Sequence, residues 1–430
     1  MLEMKNALEK LDKEDSPIQV AVVGIGKMGR SLVDRLLTLK GMRPSLIVNR
    51  HLEKAYKALL YLGIEEKNII SVETIEEVEK TIAEGKYAIT EDYELAVKSP
   101  SIQVIVEATG NPQYGAKVAY KSIVNKKHII MLNVECDSVI GPTLYELAQE
   151  NGVVYSGAAG DEPAAIMELI EYAWGLGFEI VAAGKGKNNP KDIHATNESV
   201  AVLSVLKDVC AKSLTSFVDA TNTMIELNAV GNAMGFKPDI DGCHGIKSDL
   251  KGLGKQFSLK EEGGILNNYG ILDYVQGIAP GVFIIIRGNS KETIDTLRYV
   301  GMGNGPNYVL HRPFHLCSLE TPVSIYKAAI KKEATIAPVM GQVCDTITYA
   351  KRDMKKGDII EGIGSDYVYG QLVTHEKCME ENLLPIALIS NNTKLKVDVK
   401  KDELITYDMV ELEEDELITK LRRQQDKKHV

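Results

Sequence analysis

The sequence has few of the features that mark secreted or membrane proteins. Its six cysteines are scattered over 430 residues without a Cys-x-x-Cys pair. Neither a disulfide framework nor a structural zinc site is therefore expected. No apolar run approaches the roughly 18–20 residues that cross a bilayer, and the charged N-terminus lacks the apolar core of a signal peptide. These absences predict a soluble, cytoplasmic protein without a membrane partner.

Positive charge is also scarce. The chain has 50 Lys and Arg against 60 Asp and Glu, a formal net charge of −10. Because nucleic acids are bound by clustered Lys and Arg, no nucleic-acid partner is expected. A local basic pocket for a small anionic substrate remains compatible with this balance. The 44% hydrophobic content excludes a disordered chain, and the length suggests two or three domains at roughly 100–200 residues each.

The first part of the chain alternates strand and helix patterns. Ile18–Val23, Ser101–Val106 and Lys127–Leu132 are mostly apolar runs, each followed by a turn and a helical stretch. Such runs are typical of strands that are buried on both faces. Their alternation with helices predicts an α/β domain with a Rossmann-type parallel sheet.

The character of the sequence changes twice along the chain. We predict a Rossmann-type domain at 1–157, an α+β domain at 158–335 and a small β-rich domain at 336–430. The second domain is expected to contain strands at Glu179–Ala183 and Val282–Arg287. The charged segment Lys420–Val430 is predicted to be a frayed tail.

A G-x-G-x-x-G motif follows the first strand directly. Its residues are Gly24, Gly26, Lys27, Met28 and Gly29, and a helical pattern follows. This position between a strand and a helix is the context that supports dinucleotide binding. The first glycine allows a tight turn, the second lets a pyrophosphate approach the backbone, and the third lets the helix pack closely. We therefore predict a cofactor phosphate at the helix N-terminus.

The end of the second strand indicates which dinucleotide is bound. NAD enzymes carry an acidic residue there, which binds the ribose 2′-hydroxyl. This chain has Asn49 and Arg50 instead, and an arginine can pair with a 2′-phosphate. NADP, as NADPH, is the predicted cofactor, although Arg50 could also be an ordinary solvated loop cation.

Two further strand ends are expected at the same sheet edge. Ala108, Thr109 and Gly110 form a turn after one strand, and the segment MLNVECD, with Asn133 and Glu135, follows the next. Such turns line the crevice that holds the nicotinamide half of the cofactor. The second segment lacks the Glu-Lys-Pro of glucose-fructose-type oxidoreductases and the lysine usual in homoserine dehydrogenases.

The predicted second domain contains a dense polar segment. Lys185, Lys187, Asn188 and Asn189 lie in the stretch AGKGKNNP, interpreted as a glycine-rich loop after a strand. Two lysines and two amides could bind an oxyanion, a phosphate or a polyol. A lysine near another positive charge could also have a lowered pKa and act as a general acid or base. An exposed hairpin with solvated lysines is the simpler alternative.

Other polar residues are candidates for substrate binding. Asp161 or Glu162 could reach a cleft, although one of them could equally cap the following helix. Asp219 and Asn222 would share one face of a helix over Thr215–Asn228, together with Thr215 and Glu226. A solvated helix face would give the same pattern. Arg287 could add a cationic contact to a phosphate.

With these residues in view, the chain resembles the homoserine-dehydrogenase-like proteins that include the deoxyxylulose-phosphate reductoisomerase-like enzymes. The resemblance rests on segments spread over most of the chain: VGIGKMG, EATGNPQYGAKVA, MLNVECD, AAGDEPAAIMELI, AAGKGKNNP, LTSFVDATNTMIE, DYVQGIAPGVFIIIR, HRPFHLCSLETP and AKRDMKKGDIIEGIGSDYVYG. It implies an NADPH-binding domain, an α+β catalytic and dimerisation domain and a C-terminal SAF β-clip domain.

The resemblance also implies roles for individual residues. The two lysines and two asparagines of AAGKGKNNP would bind the substrate and assist proton transfer, while Asn133 and Glu135 would lie beside the nicotinamide. Characterised members convert deoxyxylulose phosphate to methylerythritol phosphate for isoprenoid synthesis. The metal requirement stays open, with Mg²⁺ and Mn²⁺ as candidates, and a homo-oligomer, a dimer or a tetramer, is expected.

Three functions are therefore considered. The leading one is an NADPH-dependent oxidoreductase that acts on a small phosphorylated sugar-like carbonyl, with Lys185, Lys187 and Glu135 as catalytic candidates. The second is a homoserine-type or branched-sugar dehydrogenase. The third is a non-catalytic protein that senses NAD(P) or binds carbohydrate.

Overall fold

The computed structural model describes residues 2–428. Two compact units make up the chain. Unit 1 comprises the residues up to Asp161 together with Leu316–Ala337, and unit 2 comprises Glu162–His315 together with the residues from Pro338 onward. No helix in the described part of the chain is both long and apolar enough to span a membrane.

The strands and helices alternate through unit 1 and become more mixed in unit 2. The strands are β1 (Ile18–Val23), β2 (Met42–Val48), β3 (Ile69–Ser71), β4 (Tyr87–Thr90), β5 (Val104–Glu107), β6 (His128–Met131), β7 (Tyr155–Gly157), β8 (Glu179–Lys187), β9 (Lys237–Pro238), β10 (Ile271–Gln276), β11 (Val282–Arg287), β12 (Asn307–Arg312), β13 (Cys344–Ala350), β14 (Val368–Thr374), β15 (Lys394–Leu395) and β16 (Val410–Glu411). The helices are α1 (Glu3–Lys13), α2 (Lys27–Thr38), α3 (Leu52–Tyr61), α4 (Ile75–Ala83), α5 (Tyr93–Lys98), α6 (Pro112–Val124), α7 (Val134–Asn151), α8 (Glu162–Gly175), α9 (Ala201–Lys207), α10 (Ala211–Val218), α11 (Thr221–Met234), α12 (Leu250–Gln256), α13 (Lys291–Tyr299), α14 (Thr321–Tyr326), α15 (His375–Glu380) and α16 (Leu417–Lys427).

Unit 1 is built on a seven-stranded parallel sheet. Its strand order is β3-β4-β2-β1-β5-β6-β7, and every neighbouring pair is parallel. The chain moves outward from β1 in one direction and then, from β5, in the other, so the order reverses beside β1. In open α/β sheets, ligands bind at such a switch point, outside the carboxyl ends of the strands. The predicted Rossmann-type sheet is confirmed, and β1 has the predicted bounds.

Unit 2 contains a five-stranded mixed sheet. Its order is β12-β11-β8-β10-β9, with β8 in the centre, parallel to β10 and antiparallel to β11. Apolar side chains from β8, β10 and β11 pack with Leu253, Phe257 and Leu266 in one core. The central strand is therefore held by hydrogen bonds on both sides, which fixes the direction of its side chains.

The predicted loop after Ala183 is wrong, because β8 continues to Lys187. Glycine usually weakens a strand, but here two glycines allow close packing. A Cβ on Gly184 would lie 1.9 Å from the carbonyl oxygen of Asp273, and one on Gly186 would lie 2.5 Å from the amide nitrogen of Ala279. The alternating Gly-Lys-Gly-Lys sequence thus places both lysines on the opposite face of the strand.

The predicted continuous helix over Thr215–Asn228 is also wrong. It divides into α10 and α11, and Ala220 between them has a φ of 72°. The break is stabilised by Asp219, whose carboxylate is buried and lies 2.8 Å from Lys351 Nζ. The same carboxylate accepts a hydrogen bond from the Thr221 N–H at 2.8 Å at the start of α11. The predicted common polar face over one continuous helix is therefore not formed.

The residues after Pro338 form two small antiparallel sheets within unit 2, β13 with β14 and β15 with β16. This agrees with a β-rich segment, while the division into three domains and the SAF assignment stay predictions. The predicted frayed tail from Lys420 is wrong for the residues up to Lys428, because most of them belong to α16. In this helix, Arg422 is fully buried and forms ion pairs with Asp345 and Asp426. Residues 429–430 lie outside the described residues.

Candidate functional site

The three motif glycines of unit 1 have three different environments. Gly24 has a φ of +100°, which only glycine adopts easily. A Cβ on Gly29 would lie 1.9 Å from the carbonyl oxygen of Gly24, so α2 can approach the turn only with glycine there. At Gly26, by contrast, an added Cβ would have no atom of residues 2–428 within 4 Å, apart from its immediate chain neighbours. The motif therefore leaves open space at its second glycine, where a pyrophosphate would approach.

The N-terminus of α2 is suited to an anion. Gly26 is its N-cap, and no side chain within residues 2–428 caps this end. The N–H groups at a helix N-terminus and the helix dipole attract phosphate. Lys27 and Met28 are both exposed in the first turn of the helix.

The end of β2 lies beside the glycine turn. The Oδ1 atom of Asn49 accepts a hydrogen bond from the Ile25 N–H at 3.3 Å, and the amide of Asn49 donates to the carbonyl of His51 at 2.9 Å. Arg50 between them is exposed. Asn49 thus ties this strand end to the glycine turn and leaves the Arg50 side chain in solvent.

The turn after β5 is joined to the turn after β6. Asn133 caps α7 by accepting from the Cys136 N–H at 3.1 Å, and its amide donates to the carbonyl of Asn111 at 3.0 Å. Thr109 donates its N–H at 3.0 Å to the Glu107 carboxylate and its hydroxyl to the same oxygen. The structure therefore places the candidates from both turns together at the carboxyl edge of the sheet.

Three acidic groups in this part of unit 1 have raised pKa values. Burial raises the pKa of Glu107 to about 7, and burial also raises that of the half-buried Glu135 to about 7. Burial raises the pKa of Asp137 to about 6, against the hydrogen bond that Tyr155 donates to it at 2.7 Å. Glu135 can therefore gain or lose a proton near neutral pH, as a general acid or base must.

In unit 2, Lys185 contacts two carboxylates. Its Nζ lies 2.5 Å from Glu162 Oε1 and is also bonded to Glu226 Oε2, and all three residues are buried. Burial opposes the charged form of Lys185, but the charges of Glu162 and Glu226 raise its pKa well above the ordinary value. Lys185 is therefore a fixed ammonium that does not readily release a proton.

Lys187 has a different environment on the same face of β8. It is 6% exposed, and its Nζ donates a hydrogen bond to the carbonyl of Phe217 at 2.5 Å. Burial and then the charge of Lys185 lower the pKa of Lys187 to about 8. Lys187 thus carries a proton at neutral pH that it can donate, and a general acid is most effective with a pKa near the working pH.

Several predicted substrate residues of unit 2 do not join this cluster. Asn188 is exposed, and Asn189 accepts a hydrogen bond from Lys207 at 2.8 Å. Asp219 is paired with Lys351, as described above. Asn222 does belong to the cluster, since its amide donates to Glu226 Oε1 at 2.6 Å.

Arg287 lies away from the two lysines. It pairs with Glu179 at the start of β8, whereas Val282 pairs with Lys185. Five residues of strand separate these positions, roughly 17 Å. Arg287 is instead bonded to Glu262 at 2.7 Å. Arg287 therefore does not lie next to the two lysines, and its role in substrate binding stays a prediction.

Two further residues lie beside the cluster. His315 is one of the basic residues that the sequence offers as a cationic phosphate contact, whereas Lys191 was not predicted as a site residue. His315 Nε2 lies 3.3 Å from Glu162 Oε1, and Lys191 Nζ lies 5.7 Å from the ring centroid of Tyr274. The charge of Lys191 also contributes to the lowered pKa of Lys187. Lys191 directly follows the polar segment, so the density of lysines could have identified it. Nothing in the local sequence connects His315 with Glu162.

Asp161, the other acidic candidate beside Glu162, is half-buried and is the last residue of the first part of unit 1.

Two family models match the chain. Residues 24–156 match the NAD binding domain of homoserine dehydrogenase, and residues 160–321 match the catalytic domain of oxidoreductase DRL. The chain carries the domains of an NAD(P)-dependent oxidoreductase. A homoserine dehydrogenase from Synechocystis sp. is 25% identical over 136 residues, which cover 32% of this chain and 28% of the relative. The chain thus matches less than a third of that curated relative's length.

Solved structures resemble this chain more loosely. A probable dehydrogenase from Thermotoga maritima is 11% identical, with a TM-score of 0.42 and coverage of 74% of this chain and 90% of that one. The 1-deoxy-D-xylulose 5-phosphate reductoisomerase of Zymomonas mobilis, solved with NADPH, is 15% identical, with a TM-score of 0.36 and coverage of 50% and 57%. The assignment of the domains therefore rests on the two family models.

Proposed function

We propose that this protein is an NADPH-dependent reductase of a small, phosphorylated sugar-like carbonyl compound, most specifically a 1-deoxy-D-xylulose 5-phosphate reductoisomerase-like enzyme. The observation that carries the proposal is Lys187, a buried lysine with a pKa lowered to about 8 in the unit that matches the oxidoreductase catalytic domain. The positive charges of Lys187 and its neighbour Lys191 favour an anionic substrate.

The cofactor would be held by unit 1. The open space at Gly26 and the N-terminus of α2 would take the pyrophosphate, and Arg50 would pair with the 2′-phosphate. The turn at Ala108, Thr109 and Gly110 would line the nicotinamide half. Bound NADPH supplies the hydride that reduces the carbonyl carbon. The SAF assignment, the homo-oligomer and the cytoplasmic location are part of the same proposal.

The residues of unit 2 would supply the proton that the reduced carbonyl oxygen needs. As the carbonyl oxygen gains negative charge, the ammonium of Lys187 would donate its proton to that oxygen. Lys185 would stay protonated between Glu162 and Glu226 and stabilise negative charge without releasing a proton. Glu135, in unit 1, has a pKa that suits a second exchangeable proton. Lys185 and Lys187 would have different roles because their surroundings raise the pKa of Lys185 and lower the pKa of Lys187.

The direct test is a substrate panel with the full chain. NADPH oxidation should be followed with 1-deoxy-D-xylulose 5-phosphate, its unphosphorylated analogue, other ketose phosphates and aspartate semialdehyde, and the products should be identified. We expect a phosphorylated sugar-like carbonyl to give kcat/KM at least about tenfold above its unphosphorylated analogue, equivalent to about 1.4 kcal/mol. Turnover of aspartate semialdehyde alone would instead support a homoserine-type dehydrogenase, and no turnover of any compound would favour a non-catalytic protein.

Arg50 is expected to determine the choice of cofactor. Arg50→Ala should raise KM for NADPH about tenfold, because one phosphate contact is lost, and should leave KM for NADH nearly unchanged. Lys57→Ala is the matched control, since Lys57 is an exposed cation on the next helix, paired with Glu53. Steady-state kinetics with both cofactors measure the effect. Equal losses with NADPH and NADH would contradict the role of Arg50.

The rate of reduction should depend on pH through Lys187. Lys187 must be protonated in order to donate, so kcat/KM for reduction should fall as pH rises through about 8, the pKa of this group. Oxidation of the product should show the opposite trend. In Lys187→Arg this fall should disappear, because arginine keeps its proton at that pH. A wild-type profile that Lys187→Arg leaves unchanged would assign the titration to another group.

A further inference from the structure

The two carboxylates around Lys185 form a group that could bind a cation. Glu162 and Glu226 each offer an oxygen, and these oxygens lie within 4.8 Å of one another. His315 Nε2 lies 3.3 Å from Glu162 Oε1, and the Asn222 amide donates to the other oxygen of Glu226 at 2.6 Å. Two carboxylates with an imidazole nearby are a donor set that suits Mn²⁺.

A cation of the protein already lies between these carboxylates. The Nζ of Lys185 is bonded to Glu162 and to Glu226 at once, and its side chain is 8% exposed. One ammonium in contact with both oxygens takes the position in which a metal ion would bind them. A divalent ion added there would lie a few ångströms from a buried positive charge, an unfavourable contact that screening by water relieves little.

Lys185 cannot easily leave this position. Its main chain lies in the central strand β8, opposite Tyr274 of β10 and Val282 of β11. Displacing the ammonium would leave a charge without its two partners in a buried environment, which is strongly unfavourable. Lys187 contributes a second positive charge on the same face, and that charge also opposes the entry of a metal ion.

We propose that Lys185 is the resident cation of the Glu162–Glu226 pair, so that this pair binds no divalent metal in the native protein and becomes a Mn²⁺ site when the ammonium is removed. The residues therefore do not fit the Mg²⁺ or Mn²⁺ ion that the family resemblance left open. The inference goes beyond the proposed function, because it concerns metal binding and holds whichever carbonyl compound is the substrate.

The experiment measures Mn²⁺ binding to the full chain, by electron paramagnetic resonance of free Mn²⁺ and by calorimetry. The wild type should show no stoichiometric binding. Lys185→Ala should bind one Mn²⁺ per chain at least about tenfold more tightly than the wild type, and the double variant Lys185→Ala with Glu226→Gln should lose that binding. Lys207→Ala, which removes an exposed lysine of the same unit, should behave as the wild type.

Removing Lys185 leaves two buried carboxylates in contact, so the variant could unfold. Lys185→Gln retains the length of the side chain without its charge and is the second variant. Thermal melts of both variants with and without Mn²⁺ add a readout, and a rise in Tm specific to Mn²⁺ counts as binding. The proposal is overturned if the wild type binds one Mn²⁺ that Glu226→Gln removes, or if Mn²⁺ neither binds nor stabilises either Lys185 variant.

Discussion

Replacing Lys187 by alanine is expected to lower kcat/KM for carbonyl reduction about 10³-fold, within the range usual for the loss of a general acid. The expectation follows from the contrast within one strand. Lys185 is fixed between two carboxylates, whereas Lys187 has a pKa lowered to about 8 and one bond, to the carbonyl of Phe217, in addition to its charged neighbours. The loss should appear mainly in kcat, because the proton moves in the chemical step.

Two controls accompany this prediction. Lys207→Ala should keep wild-type kinetics, because Lys207 is exposed and donates to Asn189 outside the buried cluster. Lys187→Arg should retain part of the binding of an anionic substrate but little of the rate, since arginine holds its proton too firmly. A Lys187→Ala enzyme with wild-type kcat would exclude Lys187 as the proton donor and leave Glu135 as the candidate. If the wild type has no activity, the non-catalytic alternative is favoured.

Gly184→Ala is expected to destabilise the protein by about 3 kcal/mol, the upper end of the usual range for an overpacked core position. The added methyl group would lie 1.9 Å from the carbonyl oxygen of Asp273 and 2.9 Å from the ring of Phe283. Both neighbours belong to strands paired with β8 at this residue, so neither can move without disturbing the sheet. Thermal or urea unfolding of the full chain measures the change.

Gly175→Ala is the matched control for this change. Gly175 is the last residue of α8, and a Cβ added there would meet no atom of residues 2–428 within 4 Å beyond its own helix and chain neighbours. Its replacement should alter the free energy of unfolding by no more than about 0.5 kcal/mol. If Gly184→Ala unfolds at the wild-type temperature, the glycines of β8 are not needed for packing, and the placement of the two lysines needs another explanation.

Elements of this fold that depend on neighbouring residues can be predicted from the sequence. Elements that depend on contacts between distant parts of the chain are predicted poorly. The bounds of β1 are recognisable because a mostly apolar, β-branched run lies between Pro17 and Gly24. The break between α10 and α11 is not, since the helical pattern continues across Asp219, whose buried contact with Lys351 joins residues distant in the sequence. The extension of β8 is hidden for a related reason: glycines suggest a loop unless the crowding by neighbouring strands is known.

The candidate site also combines residues that a local sequence pattern identifies with residues whose roles depend on distant contacts. The three glycines of the G-x-G-x-x-G motif can be recognised from their spacing alone. The structure gives each of them an environment that matches its expected role. The identity of the lysine that can release a proton depends on Glu162 and Glu226, which come from different segments of the chain. No local pattern distinguishes Lys185 from Lys187, and only the folded chain assigns them opposite pKa shifts.

The return of Leu316–Ala337 to unit 1 has a consequence for synthesis on the ribosome. Ile325, Tyr326 and Ala328 from this segment are part of the unit 1 core. The first 161 residues therefore emerge without a piece of the core that they must bury. At roughly 5–20 residues per second, about 9–35 seconds pass before residue 337 has been added. During that interval the nascent sheet of unit 1 exposes apolar surface. We expect a chaperone that binds apolar segments to act at this stage.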